Sequence, residues 1–83
     1  MNYIFSFSSR NSALRFKDAV TALGGKTKLI NAPIKSGYGC SLAVKCSDYE
    51  LCQNVLNCGH YAALREIYEY DGVTYKSLYR HNL

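Results

Sequence analysis

Apolar and polar positions along the chain change their spacing several times, and each change marks an element. Tyr3 to Phe7 (Y-I-F-S-F) is short, aromatic-rich and β-prone, and the Ser and Asn residues after it are a natural stop. Ala13, Phe16, Val20 and Leu23 then recur at spacings of three and four, with Arg15, Lys17 and Asp18 between them, which predicts a helix. Ser9 or Asn11 can cap its start, and Gly24-Gly25 can close it. Lys26 to Asn31 reads as a second strand, placed at an edge by its alternating lysines and the nearby Pro33. Pro33 to Gly39 reads as a loop, and Cys40 to Cys46 (C-S-L-A-V-K-C) as a third strand. Ser47 or Asp48 then caps a second helix whose stripe is Leu51, Cys52, Val55 and Leu56, ended by Gly59.

Beyond it, Asp71-Gly72 sits between two alternating runs, the signal of a two-residue hairpin. Such a turn sets Tyr70 opposite Val73 and Tyr68 opposite Tyr75. Strand, helix, strand, strand, helix, strand predicts an α+β fold. The expected form is a ferredoxin-like βαββαβ sandwich, with an antiparallel sheet, two helices on one face and an extra C-terminal hairpin strand. Residues 1–83 read as a single domain, with the hairpin and tail over 62–83 and no linker or repeat.

The 83 residues are 48% hydrophobic and 19% charged, which suits a small globular domain and argues against disorder. No apolar run reaches the roughly 18 to 20 residues of a membrane helix. The opening residues show neither a basic leader nor a small-residue cleavage site, so a cytoplasmic location is expected. Ten Lys and Arg outnumber six Asp and Glu, giving a formal charge of +4. The bases are dispersed along the sequence, and the surplus reads as a solvated surface more than as a polyanion-binding stripe.

Cys40, Cys46, Cys52 and Cys58 are evenly spaced, which invites a metal reading. Structural zinc sites gather their ligands in close pairs on converging turns. Here Cys40 and Cys46 stand about 20 Å apart along one strand, and Cys52 and Cys58 differ by about 120° around one helix. Neither a metal nor a disulfide scaffold is expected, and no cofactor is implied. Cys46 and Cys52 fit small buried positions. Cys58 ends a helix, where the dipole opposes negative charge. Cys40 follows a Gly-Tyr-Gly loop beside Lys35, and local physics leaves it open between a reactive thiol and a structural residue. His60 and His81 read as surface residues, and no nucleophilic triad or phosphate loop appears.

The K-S-G-Y-G-C-S-L-A-V-K stretch also resembles the base-stacking strand of an RNA-recognition motif. Gly37, Tyr38 and Gly39 fit that pattern. Ser36 stands where a basic residue belongs, and Cys40 where the second stacking ring belongs. Strand parity counts further against nucleic acid. Leu42 and Val44 should face the helices together with Cys40, leaving Ser41, Ala43 and Lys45 on the opposite face. Tyr68, Tyr70 and Tyr75 are better read as stabilising the sheet, or a homodimer contact through the Tyr68/Tyr75 hairpin or the sheet face.

Y-I-F-S-F-S-S at the start, N-S-A-L at Asn11 to Leu14, L-I-N-A-P and G-C-S-L-A-V together make the chain similar to a family of small bacterial proteins. That family is described as selenium/sulfur carrier-like. Cys40 falls at its characteristic cysteine, Leu42 and Ala43 match the residues that follow, and Ser41 replaces the usual glycine. The resemblance implies a carrier without catalysis of its own, holding a persulfide or perselenide on Cys40. Lys35, Gly37, Tyr38, Gly39 and Ser41 would form the supporting loop, and the implied partners are donor and acceptor proteins of sulfur or selenium metabolism. Two other readings remain open: a non-catalytic interaction or dimerisation domain and, with less support, a single-stranded RNA-binding domain.

Overall fold

Among the described residues, seven elements carry out this pattern: β1 (Asn2–Phe7), α1 (Arg10–Ala22), β2 (Thr27–Asn31), β3 (Leu42–Cys46), α2 (Tyr49–Cys58), β4 (Leu64–Tyr70) and β5 (Tyr75–Arg80). The computed structural model of the protein describes residues 2–31, 42–59 and 61–80. Every neighbouring strand pair is antiparallel, in the order β2-β3-β1-β4-β5. The α+β class is as expected, and the ferredoxin-like order is matched in outline with β5 added beside β4.

Local chemistry sets the helix ends. Of the two candidates for α1, Ser9 is the cap, its hydroxyl accepting from the Ser12 N–H at 3.4 Å. At the far end Gly24 has φ +93°, and the Gly25 N–H bonds back to the Val20 carbonyl at 3.0 Å. Leu23, expected on the buried stripe, lies one residue past the helix and is 63% exposed. The turn back toward β2 carries it off the apolar face. Asp48, not Ser47, caps α2, with Oδ1 accepting from the Leu51 N–H at 3.0 Å.

The main core lies between the helices and one sheet face. Phe5 and Phe7 of β1, Val44 and Cys46 of β3, and Ile67 of β4 meet Ala13, Phe16 and Val20 of α1 and Cys52 and Val55 of α2. Phe16 is its centre, with ring centroids 5.0 Å from Phe5, 5.3 Å from Phe7 and 5.4 Å edge-on to Tyr61. Parity in β3 is as expected: Val44 pairs with Phe5 on the helix face, and Ala43 pairs with Ser6 on the other. The outer face nevertheless holds a second buried cluster of Ile4, Ala43 and Tyr68, flanked by Ile30 and Tyr70.

The β4–β5 connection corrects the two-residue turn. Tyr70 pairs with Tyr75 and Tyr68 with Ser77, so Asp71 to Thr74 form a four-residue loop. The Asp71 carboxylate organises it. Oδ1 accepts from the Val73 and Thr74 N–H groups, both at 2.8 Å, and Oδ2 accepts from the Thr74 hydroxyl at 3.1 Å. These bonds, led by the Thr74 N–H, hold the Asp71 carboxyl below its usual range.

Candidate functional site

Cys40 and the residues grouped with it in sequence, Lys35, Gly37, Tyr38, Gly39 and Ser41, lie outside the described residues, as do His60 and His81. The structure does describe the frame from which the Cys40 segment springs. Asn31, the last residue of β2, is the register partner of Leu42, the first of β3. Residues 32–41 therefore join two adjacent strands at one end of the sheet.

That end collects positive charge. Antiparallel pairing puts the start of β3 beside the end of β1, and the start of β4 with it. Here α1 begins and α2 finishes. The Ser8 N–H donates to the Ala63 carbonyl at 2.8 Å, binding the turn into α1 to the turn into β4. The Arg15 guanidinium stands 4.9 Å from the centroid of the Tyr61 ring. Arg65 Nη1 donates to the Ala62 carbonyl at 2.9 Å. With exposed Arg10 in the first turn of α1, three arginines far apart in sequence sit at the sheet end that bears the Cys40 segment. Periodicity could not show this, since it depends on how α1 and β4 are brought together.

The other cysteines divide clearly. Cys46 and Cys52 are buried free thiols, and Cys58 is exposed. The Cys46 thiol is pushed far above the usual range, first by its hydrogen bond with Cys52 and then by burial. Such a thiol stays protonated and inert. Among the described residues, no group of three His, Cys, Asp or Glu side chains is placed to hold a metal. No helix there is long and apolar enough to cross a membrane.

The tyrosine hairpin differs from its expected form. Tyr68 is 4% exposed and donates its hydroxyl to Glu66 Oε2, so it contributes little to an outer contact surface. Its ring meets Tyr75 edge-on with centroids 6.5 Å apart, while Tyr70 and Tyr75 stack at 4.5 Å. Sequence reasoning passed over Glu66, a carboxyl 4% exposed whose Oε1 has no hydrogen-bond partner among the described residues. The charge breaks the apolar pattern of the strand but gives no sign of where it faces.

A family model described as "Putative Se/S carrier protein-like" matches residues 2–80, nearly the whole chain. The chain belongs to this family. No curated protein and no solved structure matches it. Membership in the carrier-like family spans β1 through β5, so the added hairpin strand lies within the family match as well.

Proposed function

We propose that this protein is a sulfur or selenium carrier that holds the transferred atom on Cys40 and has no catalysis of its own. Membership in the carrier-like family over residues 2–80 carries the reading. The burial of Cys46 and Cys52 in the core supports it, which leaves exposed Cys58 as the one competing thiol among the described residues. The arginine-bearing end of the sheet supports it too, because positive charge favours a thiolate and a bound persulfide anion.

The chemistry balances without an external oxidant. The Cys40 thiolate attacks the terminal sulfur of a donor persulfide, forming a new S–S bond as the donor S–S bond breaks. The donor sulfur leaves as a thiolate, and Cys40 carries the persulfide. A perselenide transfers its selenium in the same way, and an acceptor nucleophile then takes the atom from Cys40. A reducing, cytoplasmic setting suits such a thiol. Incubation with a persulfide donor should add one sulfur atom to the intact mass, and Cys40→Ser should abolish that gain. A gain that persists in Cys40→Ser contradicts the proposal.

One observation favours a second reading, a protein-contact domain. Val73 is 84% exposed, and Tyr75, Leu78 and Tyr79 are also exposed, all on the β4–β5 hairpin at one sheet edge. Under that reading, Leu78→Ser with Tyr79→Ser shifts the protein to smaller size on gel filtration, and Cys40→Ser changes nothing.

A further inference from the structure

Lys28 of β2 and Lys45 of β3 are register partners, directly opposite each other on the sheet face away from the helices. Like charges so placed repel and weaken a strand pair. Lys26, two residues before Lys28, adds a third ammonium. The three lysines, with Asn2, Thr27, Cys46 and Ser47, line an open cleft of about 280 Å³, and among the described residues no carboxylate lines it. The adjacent Asp48 has its Oδ1 committed to capping α2. The Ser47 hydroxyl and the Asn2 amide are hydrogen-bond donors of the kind that complete an oxyanion shell. The Thr27 hydroxyl points the other way, toward α1, 2.8 Å from that of Thr21.

We propose that this cleft is a binding site for a small phosphate-bearing molecule, its phosphoryl oxygens held by Lys26, Lys28 and Lys45. Lysine binds phosphate as a point charge, and an anion between Lys28 and Lys45 turns their repulsion into two attractions. The cleft lies at the opposite end of the sheet from Asn31 and Leu42, so the site is separate from the carrier reading. The neighbouring aromatic residues favour a small molecule over a nucleic-acid strand. Tyr70 is stacked on Tyr75 at 4.5 Å with planes 13° apart, and Lys45 Nζ stands 5.9 Å from the Tyr70 ring. The ring beside the lysines is thus engaged within the chain, whereas a strand-binding surface keeps its rings for bases.

Titration of the ¹⁵N-labelled protein with inorganic pyrophosphate at low ionic strength tests the proposal. Saturable shifts are expected at the amides of Thr27, Lys28, Lys45 and Ser47. Lys28→Gln should weaken binding roughly tenfold or more, while Lys76→Gln on β5 leaves it unchanged. Without ligand, Lys28→Gln should melt no lower than the parent protein, which separates lost binding from lost folding. Shifts that fail to saturate, or that are equal in parent and Lys28→Gln, overturn the proposal. So does tighter binding of a single-stranded oligothymidine with shifts centred on Tyr70 and Tyr75.

Discussion

Asn31 and Leu42 face each other across β2 and β3, and the segment bearing Cys40 begins and ends at that pair. The pairing ties the thiol's segment to the sheet end where Arg10, Arg15 and Arg65 gather. If this charge assists the carrier thiol, neutralising it should slow Cys40. Arg10→Gln combined with Arg65→Gln should lower the alkylation rate of Cys40 at neutral pH several-fold, and high salt should shrink the difference. Alkylation rates of parent and variant at two ionic strengths check this.

The three described cysteines should separate by accessibility. Cys58 should react with iodoacetamide at pH 8 in the folded protein, and Cys46 and Cys52 only after denaturation. The raised Cys46 value also has a sign for stability. The thiol is neutral in both states below about 8.5, the ordinary thiol value. Above it the unfolded thiol ionises and the folded one does not, so stability falls as pH rises toward the folded value. Melting curves between pH 7 and 10 should show that decline, and Cys46→Val should flatten it.

Gly25 marks a close approach between the end of α1 and α2. A Cβ there would lie 2.5 Å from Val20 Cγ1, 2.9 Å from Leu51 Cδ2 and 3.1 Å from the Val20 carbonyl oxygen. Gly25→Ala should therefore cost about 1–3 kcal/mol by overpacking, measured by urea unfolding.

Tyr68→Phe removes the hydroxyl that donates to buried Glu66. A carboxyl left with less satisfaction costs about 1–3 kcal/mol. The double variant Tyr68→Phe, Glu66→Leu should recover part of that loss, and urea unfolding of the parent, both single variants and the double variant checks the cycle.

The Asp71 loop should loosen in acid. Its carboxyl is held below the ordinary value, so its contribution is present above about pH 4 and is lost as pH falls through the lowered folded value. Amide exchange at Val73 and Thr74 should rise correspondingly at low pH relative to the core strands, and Asp71→Ala should show the fast rate throughout.

The helices, the strands and the edge position of β2 were legible because each has its own spacing and cap chemistry. The hairpin length was not. Asp71-Gly72 carries the tight-turn signal, but the Asp71 carboxylate gains three bonds in the longer loop, one from Val73 and two from Thr74. The facing of Lys28 and Lys45 was also hidden, because cross-strand partners depend on the register set by the intervening segment. Family membership was legible in the L-I-N-A-P and G-C-S-L-A-V motifs. The surroundings of the Cys40 thiol lie beyond both periodicity and the described residues.

Competitive alkylation of the folded protein at neutral pH, with each cysteine quantified by mass spectrometry, tests the carrier claim most directly. Cys40 should be labelled fastest, ahead of exposed Cys58 and far ahead of buried Cys46 and Cys52. Uniformly slow labelling of all four, or Cys58 outpacing Cys40, would contradict it.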